Sequence, residues 1–518
     1  MSYLKKFLPL VLVLAMLLTM FAACNDSSDP KDTETESKTE TESESESENS
    51  KVTGSESTDE SVEVSILDDV TFPDKVLNVL VENRGNLPEY TKELTDSMDI
   101  LDKAIYDRCD HAENRLQLRT KWEIIDSTDT YREKAELENS NGGLWDVMDS
   151  RSESAPILMT RGVFSNLMGQ KYFDFKHPGW SQSIVADLTV ANKLYFATGD
   201  ISTNLVFMTG VVFFNKSLVK DLGVNEKIKA NYEAESLYEL ATTGKWTLDK
   251  LLTLSENSYK DQNNNGKKDT GDRYGFTTYH NLFPNFYWGG GYKCVNVVDG
   301  GFEISTDYLN PELVGNILST VNTFLYDTKD GFIESDYSKS KANFAAGNAL
   351  FTMGPASHAW NTYSTTEDLE YSVLPIPKHS ESQARYCATQ STNYLVISIA
   401  SQSKNAEASS AFIQALTEAS YEITRPALID KLMKGRYAED PEDAEMWDLA
   451  IDANVFDVGR VYGHMFTEDG DTLPLPEKLI RDKIQTGNNN WSQTVQGRGT
   501  QLVIMANSLA GQIAGLPD

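Results

Sequence analysis

The chain has 518 residues, 40% of them hydrophobic, with 46 Lys and Arg against 78 Asp and Glu and a formal net charge of −32. That length and apolar content allow two or three domains with cores of ordinary size. The acidic balance excludes a nucleic-acid partner, because phosphate repels such a surface. Six histidines with no close pair and no HExxH spacing argue against a zinc enzyme.

The elements begin with Lys5 and Lys6, a charge-free apolar run (FLPLVLVLAMLLTM) and then Phe21-Ala22-Ala23-Cys24. The run is shorter than the roughly 20 residues of a spanning helix and reads as a secretory signal. It resembles a bacterial lipoprotein signal, in which the cysteine, here Cys24, is lipidated and becomes the first mature residue. The expectation is a signal peptide over residues 1–23 and a body lipid-anchored on the extracellular face of the bacterial cell membrane. Residues 25–65 carry 14 acidic residues against three lysines in a Ser/Thr/Glu alternation. Such a stretch buries too little apolar surface to offset its ordering entropy, so a disordered acidic tether is expected over residues 24–70. Cys109, Cys294 and Cys387 are odd in number and far apart, which suits buried apolar fillers better than a disulfide framework. One pairing among them stays open.

From Thr71 onward the pattern alternates. A β-rich run at 76–81 is followed by helical spacing over 97–109 (Met98, Leu101, Ile105), a strand-like run at 116–125 and a helix at 131–137. A strand at 144–148 and a helix opening at 155 with Pro156 in its first turn complete the series. This spacing predicts right-handed βαβ units on a parallel sheet, whose ligands sit beyond the carboxyl ends of the strands. The exits here are Glu82-Asn83-Arg84, Asp126-Ser127 and Asp149-Ser150-Arg151. Residues 193–196 and the long apolar run 206–215, broken at Gly210, read as further strands. The second of these is long enough to cross between lobes. Helices follow at 216–223, 237–240 and 248–254, the last with Thr247 at its N-cap.

Residues 261–272 read D-x-N-x-N-G-x-x-D-x-x-D. Asp261, Asn263, Asn265, Asp269 and Asp272 place oxygens at positions 1, 3, 5, 9 and 12, Gly266 permits the tight turn, and Lys267 offers its carbonyl. This is the order of an EF-hand-type loop, so a structural Ca2+ is expected. Asp272 stands where the bidentate Glu usually does, on a shorter arm.

Residues 285–293 (NFYWGGGYK) are aromatic and glycine-rich, a composition suited to stacking on a sugar ring. Strands are read at 349–353, 371–377 and 394–399, a helix at 406–418, and a mainly helical remainder. In this order VVFFNKSL (211–218), DLGV (221–224), GKWTLDKL (244–251), DRYGF (272–276), FAAGNALFTMGP (344–355), YSVLPIPK (371–378) and SKNAEASSAFIQAL (403–416) resemble the extracellular solute-binding protein family 1. These are the carbohydrate-type receptors of ABC importers, and the similarity spans roughly residues 74–518.

The resemblance implies an α/β fold of two lobes, a maltose-binding-protein-like clamp joined by hinge strands and closing on its ligand. Lobe 1 would take residues 71–208, lobe 2 residues 209–392, with returns at 393–436 (lobe 1) and 437–518 (lobe 2). It implies binding and not catalysis, a carbohydrate ligand, ABC permease subunits as partners, and a monomer. Trp288, Trp360 and Tyr394 would stack on sugar rings, and Asn83, Asp149 and Asp200 would accept hydroxyl protons. Family members that bind maltodextrins carry Trp directly after the Gly-Pro matched by Gly354-Pro355; Ala356 stands there, and the nearest Trp is Trp360. The competing readings are a ligand-sensing partner of a membrane receptor, with the same fold and a different readout, and a surface glycosidase, which needs a carboxylate pair at set spacing.

The anchor and the clamp make separable demands. Cys24→Ala is expected to shift the protein from the membrane fraction to the soluble fraction, or to block its maturation, with ligand binding of the purified protein unchanged. Loss of binding in the purified variant would refute that separation.

Overall fold

A computed structural model describes residues 65–83, 89–90, 94–95, 98–468 and 474–517. The signal segment, Cys24, the acidic run to residue 64 and Arg84 lie outside the described residues. Eleven named strands follow one another among those residues: β1 (Val76–Glu82), β2 (Arg119–Ile125), β3 (Val147–Arg151), β4 (Gly210–Asn215), β5 (Tyr274–Tyr279), β6 (Val295–Val298), β7 (Gly301–Ile304), β8 (Gly331–Glu334), β9 (Ala349–Pro355), β10 (Tyr371–Pro375) and β11 (Leu395–Ile399).

They form two principal sheets. The first has the order β11-β3-β1-β2, with β1 parallel to β2 and β3, and β11 antiparallel to β3. The second has the order β10-β4-β9-β5-β8, in which β5 runs parallel to β8 and β9 while β4 opposes β9 and β10. The hairpin β6–β7 packs against the long helix Trp491–Gly515. The parallel core of the first sheet follows from crossovers through the helices Ile100–Leu116 and Thr128–Asn141. Asp99 opens the first of these by accepting from the N–H groups of Leu101 and Asp102, both at 2.9 Å, and Gln117 ends it in the left-handed region.

The parts built on the first and second sheets are called lobe 1 and lobe 2 below; the chain changes sheet between β3 and β4 and again between β10 and β11, and the two connections meet at 208–210 and 389–391. A long helical stretch then runs from Ala406 to Arg436, packs on Ile100–Leu116 of lobe 1, and leads into Pro441–Asp452 against β10 of lobe 2. Its two π-helical turns, Ser420–Thr424 and Ala427–Met433, flank Pro426, which has no N–H for the helical ladder. The core of lobe 2 is aromatic. Phe213 meets Tyr363 edge-on at 4.9 Å, and Phe344 lies 4.8 Å from the same ring. Each such pair adds about 1 kcal/mol beyond the area it buries.

Several expectations are corrected. Residues 65–70, expected in the tether, pack on the body: Leu67 is 1% exposed in the core and the Ser65 hydroxyl donates to Glu418. The apolar run 206–215 is not one strand. A helix, Thr203–Phe207, precedes β4, because buried Glu89 accepts from the N–H groups of Thr203 and Asn204 and from the hydroxyls of Ser202 and Thr203. Residues 193–196 contribute isolated bridges only. The strand expected from 116 starts at Arg119, and the one expected from 144 starts at Val147. Cys109, Cys294 and Cys387 are buried and free, so no pairing forms among them.

Candidate ligand-binding cleft

A cavity of about 650 Å³ opens where the carboxyl end of β3, the 389–393 connector and the C-terminal part of lobe 2 meet. Ser152, Glu153 and Arg132 line it from lobe 1. Ser391, Thr392 and Tyr394 line it from the connector and the start of β11. The lobe 2 wall comes from Phe456, Arg460, His464, Glu477 and Arg481.

The lobe 1 wall is held from below. Glu82 ends β1 fully buried and accepts from the Arg151 N–H at 3.0 Å and the Ser154 hydroxyl at 3.1 Å. The Ser154 oxygen in turn accepts from Arg132 Nε at 3.1 Å. Ser152 ties β3 to the connector: its N–H donates to the Tyr394 carbonyl at 3.0 Å and its hydroxyl to that of Thr392 at 2.6 Å. Tyr394 packs edge-on against Phe456 at 5.9 Å. Burial holds its phenol up at about 12, so it stays a neutral hydrogen-bonding group.

The lobe 2 wall rests on Asp457. It caps the short helix Val458–Val461 through the Gly459 N–H at 2.7 Å and also accepts from Trp288 Nε1 at 3.0 Å and the Cys294 N–H. Burial raises its pKa, and those three donors pull it back down. The cap fixes Arg460, whose guanidinium lies 5.6 Å from the Trp288 ring centre. Arg460 Nε donates to Glu477 at 3.0 Å, Arg481 Nη1 donates to the same carboxylate at 3.4 Å, and Arg481 Nη2 donates to Asn281 at 3.1 Å. The lobes also touch directly: Lys293 Nζ stands 2.6 Å from Asp187, and His464 Nε2 stands 3.5 Å from the Thr160 hydroxyl.

Of the six residues expected from the sequence to meet the ligand, Tyr394 lines this cavity. Trp288 is 0% exposed and bonded to Asp457; sealed in the core, its ring offers no face to a sugar, which corrects the stacking expectation. Asp149 is fully buried within β3 between Val81 and Ile397, not at a strand exit. Asp200 is paired with Arg425 at 2.9 Å, away from the cavity, and burial raises its pKa against that pairing. Asn83 sits at the exit of β1, with its carbonyl accepting from Arg151 at 2.6 Å. Trp360 tilts against Phe207 at 5.5 Å, outside this cavity. The reading of the sequence missed Arg132, Arg460 and His464. Of these, only Arg460 had a local signal, the Asp-x-Gly cap just before it.

The loop 261–272 turns as its sequence demands. Asp261 accepts from the N–H groups of Asn265 at 3.2 Å and Gly266 at 2.8 Å, and Gly266 takes a φ of 74°. Asp272 closes the loop from a buried position, accepting from the Gln262 N–H at 3.1 Å and the Tyr259 hydroxyl at 3.0 Å. The amides of Asn263 and Asn265 point their NH2 groups at Asp269. The oxygens suit a hard cation in kind. Among the described residues, however, no group of three His, Cys, Asp or Glu side chains is placed to hold a metal ion.

No protein-family model matches the chain, and no curated protein matches it. Solved structures do. A family 1 extracellular solute-binding protein from Bifidobacterium longum subsp. infantis is similar with a TM-score of 0.50 at 15% identity, over 86% of this chain and 100% of that one. The GacH receptor of Streptomyces glaucescens GLA.O, solved unliganded and with acarbose, is similar with a TM-score of 0.46 at 14% identity, over 86% and 100% of the two chains. The apo form of RafE from Streptococcus pneumoniae gives 0.48 at 14%, over 85% and 98%. The first of these shows the fold: an α/β two-lobe clamp shared with family 1 extracellular solute-binding proteins.

His464 gives the cleft a pH signature. Burial first, then the cations Arg132 and Arg161, hold its pKa down at about 4, so the folded protein keeps it neutral while the unfolded chain titrates near 6.5. Its contribution is therefore complete above about pH 6.5 and is lost as pH falls toward 4. Between pH 7 and 4 the native protein is expected to lose about 2 kcal/mol more stability than His464→Gln, read from urea denaturation. His358 and His379, also buried and lowered, titrate in both proteins. Equal losses in the two proteins would refute this.

Proposed function

We propose that this chain is the substrate-binding protein of an ABC importer, capturing an oligosaccharide between its lobes and presenting it to the permease subunits of the membrane. The observation that carries the reading is the cavity at the lobe junction, about 650 Å³ and bounded by both lobes and their connector. That volume is on the scale of small-molecule sites. The mixture of Tyr394 and Phe456 with convergent hydroxyls and guanidinium groups suits a sugar's apolar ring face and its hydroxyl rim. Two of the cavity's carboxylates, Asp457 and Glu477, are committed to fixed donors, which supports binding over catalysis. The lipobox-like segment ending at Cys24 supports anchoring by lipid on the extracellular face.

Isothermal titration of the purified protein against a glycan panel tests the reading. Saturable heat with an oligosaccharide is expected, weakened about tenfold or more in Tyr394→Ala. Binding of a peptide or polyamine with no heat from any saccharide would overturn the sugar and keep the transport role. Release of product from a panel glycan would instead favour a glycosidase.

We also propose that residues 261–272 form a structural calcium clip, supported by the order of their oxygen donors. Holding the ion requires Asp261 and Asp269 to turn from their present N–H partners. Calcium at about 1 mM, the range of extracellular calcium modules, is expected to raise the melting temperature over that in EGTA, and Asp261→Ala is expected to abolish the increase. An unchanged melting temperature, or an equal increase in the variant, would refute the clip.

A further inference from the structure

The charges that the cavity leaves uncommitted define its ligand class; this step rests on the carbohydrate-binding reading above. Three arginines face the cavity in a chain of net charge −32. Glu477 lies between Arg460 and Arg481 and is ion-paired with both. Asp457 is spent on three N–H donors. Glu468 is held by Arg498 and Gln501, and Glu153 is 47% exposed at the rim, 4.0 Å from Arg151.

Arg132 remains. Among the described residues only its Nε is bonded, to Ser154 on the path to buried Glu82, so the guanidinium is held in place with neither terminal nitrogen bonded to another of those residues. Across from it, His464 Nδ1 is buried with no hydrogen-bond partner. Burial chiefly keeps that imidazole neutral, and Arg132 and Arg161 add to it by opposing its protonation. A neutral sugar enclosed here leaves Arg132 desolvated and unpaired, which is costly. A carboxylate matches its planar fork with two parallel charge-assisted bonds.

We propose that the cavity takes an acidic oligosaccharide, its carboxylate gripped by the terminal nitrogens of Arg132 from lobe 1 while His464 Nδ1 meets a sugar hydroxyl from lobe 2.

The test is titration of the full mature protein with matched acidic and neutral pairs: trigalacturonate against its methyl ester, and sialyllactose against lactose. At about 0.15 M salt, where exposed charges are screened beyond roughly 8 Å, the acidic member of a pair is expected to bind about tenfold or more tighter than its neutral partner. Arg132→Gln is expected to erase that preference. Arg132→Lys, which keeps the charge and loses the fork, is expected to retain part of it. Urea midpoints establish that both variants fold, and if Arg132→Gln does not, the lysine variant and the salt dependence of the native protein decide. Equal or tighter binding of the neutral members, or a preference that survives in Arg132→Gln, overturns the inference and leaves the carbohydrate reading standing. Absence of heat from every saccharide overturns both.

Discussion

The two lobes communicate through a pair of connectors, and the constraint on which the rest depends is the way those connectors are pinned to each other. The Gly210 N–H donates to the Thr389 carbonyl at 3.2 Å, and the Ser391 N–H donates to that of Met208 at 3.0 Å. Asn285, 2% exposed, places its carbonyl oxygen 2.9 Å from the Thr389 N–H. A β-carbon at Gly210 would stand 2.7 Å from the amide nitrogen of that same Asn285, so any larger residue there would push Asn285 off its bond to Thr389. Asn454 closes the arrangement, bonded to Thr209 at 2.8 Å and to Gln390 at 2.8 Å. Buried Asn285 and half-buried Asn454 thus hold the two connectors in one register against each other.

The cleft inherits its geometry from this pin. Ser391 and Thr392 enter the cavity because the connector is fixed just before them, and Tyr394 follows at the start of β11. From there two chains of hydrogen bonds set the walls. One runs from Glu82 through Ser154 to Arg132. The other runs from Trp288 to Asp457, and the cap that Asp457 forms sets the helix carrying Arg460. Groups that face the cavity are thus placed by buried groups behind them, so their order does not wait on an occupant.

The sequence displayed what local chemistry decides. The alternation of β1, β2 and β3 with their helices was legible because each has its own period and its own cap, Asp99 for one helix and Ser127 for the next. What it concealed was set at long range. Thr203–Phe207 looks like the start of a strand and is a helix because Glu89, more than a hundred residues away, accepts its first N–H groups. Trp288 looks like a sugar platform beside glycines. It is a core residue because a distant Asp457 satisfies its indole. A strand exit pointed to Asp149 and the family resemblance to Asp200, yet the cavity draws on Arg460 and His464, from elements of four residues each whose periodicity is too short to read. Tyr394 was visible because it sits directly before an unmistakable apolar strand.

Charge acts in this protein on two length scales with opposite sign. The body is strongly acidic, which favours solubility and repels an anion at a distance. That repulsion is screened within roughly 8 Å at physiological salt, so it sets the rate of approach more than the stability of the bound state. Inside the cavity the balance is local. Its lining sets three arginines against the carboxylates Glu153, Asp457, Glu468 and Glu477, and Arg460 and Arg481 share Glu477, while Arg132 has no carboxylate partner among the described residues. Burial first, and then the cations Arg132 and Arg161, keep His464 neutral there. A charge left unmatched in a buried site is costly, so the proposed preference for an acidic ligand turns on Arg132, the one arginine of the cavity with no carboxylate partner among the described residues.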